Sequence, residues 1–130
     1  MLDLKTNALD QAIQSHNAAE ELHARLDVGQ LELDFSHPAI ASEIFGRCVE
    51  LAKRVGDKPA ELKAVYGLAV AFFSMKSYTE ALAHYGQAIT IADAETDHST
   101  VLRSRLGVGK SNIALGNFDQ GLHEILSGAV

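Results

Sequence analysis

The feature that most limits what this chain can become is a self-similarity at a spacing of forty residues. Shifted by forty, residues 62–76 (LKAVYGLAVAFFSMK) fall on 102–116 (LRSRLGVGKSNIALG) and on 22–36 (LHARLDVGQLELDFS). Leu22, Leu62 and Leu102 form one column, and Leu26, Tyr66 and Leu106 another. Gly29, Ala69 and Gly109 are all small. The same shift carries 77–93 (SYTEALAHYGQAITIAD) onto the stretches at 37 and 117. Ala81 then aligns with Ala41 and Gly121, bulky Tyr85 with Phe45 and Ile125, and Ala88 with Cys48 and Gly128. Small residues that stay small mark places where two backbones come close. A period of this length is the signature of a stacked repeat, in which each unit buries its apolar face on the next.

Each unit holds two helical patterns, with apolar positions recurring at three and four residues. In the middle unit the first helix is expected from about Ala60 to Lys76, with Pro59 in its first turn, where a missing N–H costs nothing. The second is expected from Tyr78 to Ala94. Only a residue or two near Ser77 separates them, so the helices are antiparallel neighbours. In the first unit Ser36 or His37 is expected to cap the second helix, with Pro38 behind it. In the third, Gly116 ends one helix and Asn117 caps the next. The fold class expected is all-α: antiparallel helix pairs stacked as an α-solenoid. Repeats are expected at about 18–57, 58–97 and 98–130, and residues 1–17 form a leading cap or the remnant of an earlier unit.

Composition narrows the function. A net charge of −6 in 130 residues, with Lys and Arg scattered, argues against a nucleic-acid surface. No apolar run approaches the roughly 20 residues needed to span a bilayer, and no secretion signal is visible. The expectation is a cytoplasmic protein with no membrane contact. The lone Cys48 forms no internal disulfide and sits in a column otherwise Ala and Gly, so it reads as a small buried hydrophobe.

The stretch VYGLAVAFFSMKSYTEALAHYGQAI resembles the tetratricopeptide repeat, with Val65, Leu68, Ala69, Phe72, Tyr78, Ala81, Tyr85 and Ala88 in the motif positions. The third unit matches through Val108, Gly109, Gly116, Phe118, Gly121 and Gly128, and departs at Arg105 and Asn112. The first matches through Val28, Gly29, Ala41, Phe45 and Cys48, with Pro38 where the aromatic stands. A forty-residue period exceeds the usual length of about thirty-four. It is similar to the longer-helix variety, whose units end in a pattern like ELAKRVGD here.

The resemblance implies a TPR-like superhelix whose first helices line a concave groove that takes a peptide or a partner's helix. Carried over by position, the groove residues are His23, Lys63, Tyr66, Val70, Phe73, Arg103, Leu106 and Lys110. His23, Lys63 and Arg103 share one column beside apolar ground, which suits a protein segment carrying an acidic group. The other reading is that they are solvated positions favouring helix. The family's carboxylate-clamping pattern is absent, its places being held by Tyr66, Gly67, Val70 and Gly107.

No catalytic constellation emerges, and no enzyme or cofactor is expected. GVGKSN at 107–112 lacks the spacing and the preceding strand of a phosphate loop. His16, Glu20 and His23 share a helical face, but the further Glu and His ligands of a bridged metal site are missing, so solvated histidines are the reading. Glu80 and His84 read as an exposed i,i+4 pair. The apolar stripe Leu122, Ile125, Leu126 and Ala129 has no helix after it, leaving an open end that suits a larger protein or a homodimer. By resemblance, such modules are regulatory or sensory parts of bacterial signalling proteins, such as diguanylate cyclases or transcriptional regulators. A stand-alone adaptor is the alternative.

Overall fold

The computed structural model describes residues 17–129, with side chains placed to residue 126. The leading segment expected at 1–17 therefore lies, apart from Asn17, outside the described residues. Within them the chain is six α-helices and no strand: α1 (Ala18–Asp34), α2 (Pro38–Val55), α3 (Lys58–Ser74), α4 (Tyr78–Ala94), α5 (His98–Ala114) and α6 (Phe118–Ala129).

The first helix of each pair begins at a side-chain cap, and the caps stand forty residues apart. Asn17, Asp57 and Asp97 each accept a hydrogen bond from the backbone amide three residues on: Glu20 at 3.0 Å, Ala60 at 3.0 Å and Thr100 at 3.1 Å. This explains why α3 starts at Lys58, ahead of the expected Ala60: the Asp57 carboxylate sets the start, and Pro59 falls inside the first turn. Of the two residues expected to cap α2, His37 holds the position and Ser36 does not. His37 occupies the cap position without a side-chain cap bond, and its ring Nδ1 lies 2.8 Å from Glu32 Oε2, turned back onto α1.

Every connection is closed by a residue in the left-handed region, and these recur every twenty residues: Ser36, Gly56, Lys76, Thr96 and Gly116. At the end of α3, Lys76 N donates to Phe73 O (3.0 Å) and Ser77 N to Phe72 O (2.9 Å), which satisfies the last free carbonyls. The left-handed turn at Lys76 is why α3 stops at Ser74, short of the expected Lys76.

Each helix packs on the next in sequence, and the first helices also touch one another, α1 on α3 and α3 on α5. Among the described residues α2 and α4 make no such approach. The first helices are thus more closely spaced than the second, and the stack curves with α1, α3 and α5 on its inner side.

The spacing is set by aromatic rings seated on glycine. Phe45 of α2 is 2% exposed and wedged between α1 and α3. A Cβ placed on Gly29 would lie 2.9 Å from its ring, and one on Gly67 would lie 2.7 Å away. Tyr85 of α4 sits on Gly107 of α5 in the same way. Between α5 and α6 the backbones themselves meet: a Cβ on Gly109 would stand 2.8 Å from Gly121 O. The third unit is also less well satisfied inside. Ser104 Oγ and Asn112 Nδ2 are buried without partners, where the middle unit has Ala64 and Phe72. An unsatisfied buried group of this kind costs about 1–3 kcal/mol.

Three outcomes follow for urea denaturation. Gly67→Ala lowers stability by about 1–3 kcal/mol, because the Phe45 ring cannot leave Gly67 without pressing on Gly29. Gly86→Ala, with nothing within 4 Å of its added methyl, raises it by up to about 1 kcal/mol through helix propensity. Equal responses at the two sites contradict the wedge. Ser104→Ala raises stability by about 1 kcal/mol or more as the orphaned hydroxyl disappears.

Candidate functional site

The inner face holds a groove of about 890 Å³, running across α1, α3 and α5. Its floor is the wedge itself, since Phe45 and Gly67 both border it. Leu26, Gln30 and Leu33 of α1 form one wall, and Lys63, Tyr66 and Val70 of α3 the facing ridge. Arg103 of α5 closes the far side. Leu26 is nearly buried, whereas Gln30, Lys63 and Arg103 are exposed. The groove therefore has an apolar bottom and a polar rim, as protein-recognition surfaces do.

Of the eight residues expected here, Lys63, Tyr66, Val70 and Arg103 are brought together. His23 lies outside the lining, with Nε2 3.6 Å from Asp57 Oδ2 across the α1–α3 junction. Phe73 turns toward α4, where its ring meets Tyr78 edge-on at 5.2 Å. Leu106 and Lys110 are exposed on α5 but do not line the groove. The groove is formed between adjacent first helices, and among the described residues none follows α5 to supply a second wall.

The lining also contains acids that the groove columns did not single out: Asp27 of α1, and Glu95 and Asp97 from the α4–α5 turn. Asp97 is held firmly by its capping role. Its Oδ2 accepts from Thr100 Oγ1 at 2.7 Å and its Oδ1 from the Thr100 amide at 3.1 Å. These bonds hold its carboxyl below the usual range, with Arg103 and His98 adding to the effect. The Asp57 and Asp97 column carried the signal for this residue, because a cap on α5 must stand at the groove end of that helix. The Arg103 guanidinium donates to Ser99 Oγ at 3.0 Å, so the rim presents mixed charge.

Behind Tyr66 lies Tyr85, edge to face at 5.9 Å and 6% exposed. Burial, with a smaller contribution from Tyr66, pushes its hydroxyl up to about 12. Burial likewise pushes the Cys48 thiol up to about 12, although Arg25 opposes the shift, so Cys48 is a packed hydrophobe and no thiolate nucleophile. The Glu80–His84 ion pair does not form. His84 Nδ1 lies 2.8 Å from the Glu80 backbone oxygen, and its ring stacks on Phe72 at 5.2 Å. Of the His16, Glu20 and His23 set, His16 lies outside the described residues, and among those described no cluster of three potential metal ligands occurs. No helix there is long and apolar enough to cross a membrane.

No family model matches the chain, and no curated protein matches it. Solved structures do. The TPR domain of Arabidopsis FLU superposes with a TM-score of 0.82 at 22% identity, covering 86% of this chain and 94% of that one. The apo form of RapI superposes with a TM-score of 0.89 at 16% identity, covering 98% of this chain and 46% of RapI, so the chain spans just under half of RapI's length. The fold is that of a TPR-type helical repeat solenoid.

Tyr85 gives the site a pH signature. Its folded pKa lies above the ordinary 10.0, so the stability it contributes is complete below pH 10 and is lost as pH rises toward 12. Tyr85→Phe removes that loss. The urea midpoint of the variant should therefore fall less steeply than that of the parent between pH 10 and 12, and parallel curves would contradict the assignment.

Proposed function

We propose that the chain is a protein-interaction scaffold that holds a peptide or a partner's helix in the groove across α1, α3 and α5. The observation that carries this reading is the groove itself: a floor at Phe45 and Gly67 between the apolar flanks of Leu26 and Tyr66, beneath a rim of charged and amide side chains. A helix or extended segment lays apolar side chains on such a floor and fixes its register through the rim. An acidic group on the partner meets Lys63 and Arg103, and a donor beside it meets Glu95. Burial pushes both the Cys48 thiol and the Tyr85 hydroxyl up to about 12, so neither of these two is an ionised nucleophile near neutral pH, which favours binding over catalysis.

The setting we propose is a regulatory or sensory part of a larger signalling protein, in which occupation of the groove alters the stacking of the helix pairs. The superposition on RapI, in which this chain matches 46% of a longer one, supports placement within a larger protein.

The test is co-purification followed by measured affinity. A partner recovered with the parent chain should bind at least tenfold more weakly to the Lys63→Glu/Arg103→Glu double variant. It should also weaken with Gln30→Trp, which fills the groove from α1. Gly86→Ser, on the outer surface, should leave it unchanged. Full affinity in both groove variants would remove the reading.

A further inference from the structure

The groove on the inner face is polarised from one end to the other. α1, α3 and α5 run in the same direction, since one antiparallel helix separates each from the next, and residues forty apart stand at the same height. α5 and the turn before it contribute Glu95, Asp97, Thr100 and Arg103, all at the N-terminal edge of the stack. α1 contributes Leu26, Asp27, Gln30 and Leu33, which begin about one turn above the height of Lys63 and Arg103 and rise from there. On α3 the lining climbs from Pro59 to Val70 and joins the two. The groove thus crosses the stack obliquely, from a charged end at the start of α5 to an apolar end beside Leu33 and Val70.

This lining suits a helix better than an extended chain. Gln30 is the only side-chain amide in it, and the backbones of α1, α3 and α5 are engaged in their own helical bonds. An extended segment laid on Phe45 and Leu26 would bury N–H and C=O groups with little to pair them, whereas a helix pairs its own. Size agrees with this. A helix about 10 Å across and about 16 residues long, sunk to half its girth, displaces about 900 Å³. The groove measures about 890 Å³.

The charges at the α5 end set a direction. Lys63 and Arg103 are exposed at one height, so an acidic side chain placed there meets both. Helices favour acids in their first turn and disfavour them in their last. Beside the two cations stand Glu95, exposed in the turn, and the Asp97 carboxylate. These acids attract the free amides and partial positive charge of a helix N-terminus, and they repel the partial negative charge of a C-terminus. Both preferences place an occupant's N-terminus at the α5 end. The leading segment of the chain does not carry the matching pattern. Its acids are Asp3 and Asp10, and the same-face positions four and seven residues on hold Asn7 and Asp10, then Gln14 and Asn17.

We infer that the groove takes an amphipathic helix of a partner protein, lying with its N-terminus at the α5 end; this rests on the reading of the groove as the binding site. The first turn of that helix sets an acid between Lys63 and Arg103. Apolar residues four, seven and eleven positions further on face the floor and α1.

The test uses two fluorescein-labelled, alanine-based peptides of about 16 residues, titrated with the full 130-residue chain by fluorescence anisotropy. One has glutamate in its first turn and leucines four, seven and eleven residues after it, and the other has that order reversed. The acid-first peptide should bind saturably and at least tenfold more tightly than the acid-last peptide. Lys63→Glu/Arg103→Glu should weaken it at least tenfold, and a photo-crosslinker at its N-terminus should label residues 95–100. Glu95→Lys, at an exposed turn position, should narrow the preference between the peptides, and it provides a second reading if the double variant loses helical circular dichroism. Equal binding of the two peptides, or crosslinking of the N-terminus to α1, overturns the inference; if the double variant still abolishes that binding, the groove reading stands. Binding that the double variant leaves intact lies elsewhere on the chain and tells against both. Absence of saturation with a folded chain overturns the inference alone, because the groove reading is tested on a recovered partner. Binding that appears only with Leu4→Asp/Leu9→Asp assigns the groove to the chain's own leading segment and also overturns the inference.

Discussion

The seating of Phe45 between Gly29 and Gly67 decides how far α1 stands from α3, and the groove exists because of that distance. The ring is too large for two alanine-bearing helices to accept from both sides, and it is too well enclosed to move. Cores at this density transmit a change of one methyl group into the position of whole helices. Since Phe45 and Gly67 also border the groove, the same contact separates the helices and forms the floor between them. Stability and recognition are thus carried by one set of atoms.

Around that wedge the local signals agree with one another, which is the mark of a sequence committed to a single structure. Caps at Asn17, Asp57 and Asp97 start the inner helices, and left-handed residues from Ser36 to Gly116 end every helix but the last. Lys76 and Thr96 accept the left-handed region although they carry a Cβ, so the tertiary stack holds them there against an intrinsic preference of about 1–2 kcal/mol. The departures collect in the third unit. Its Ser104, Asn112, Gly107 and Gly109 replace larger or apolar residues with small or polar ones, or repeat a glycine, and its last helix shows more apolar surface than the others.

What the sequence made legible was whatever repeats. The columns of small and bulky residues predicted helix pairs, their antiparallel order and the close approach at Gly29, Gly109 and Gly121, because steric size recurs in register with the fold. α4 fell at Tyr78–Ala94 as expected, since Ser77 leaves no other place to turn. Half of the expected groove residues line it. Glu95 was not visible as a lining residue because it stands in a turn and reaches the groove only through the curvature of the stack. Phe73 shares a helix with Tyr66 and Val70, yet an edge-on contact with Tyr78 draws it to the neighbouring helix. Such choices depend on which neighbour offers more contact, and periodicity alone does not contain that information.

The close packing is entirely between helices one or two places apart along the chain. A structure with only near-neighbour coupling is held together much as a zipper is, with its cooperativity resting on each interface in turn. Among the described helices α6, with a single neighbour and an exposed apolar flank, is the one that separates at lowest cost. Whatever covers that flank adds one more coupled interface to the line. It would tighten the groove from a distance by making the helices around it less free to separate.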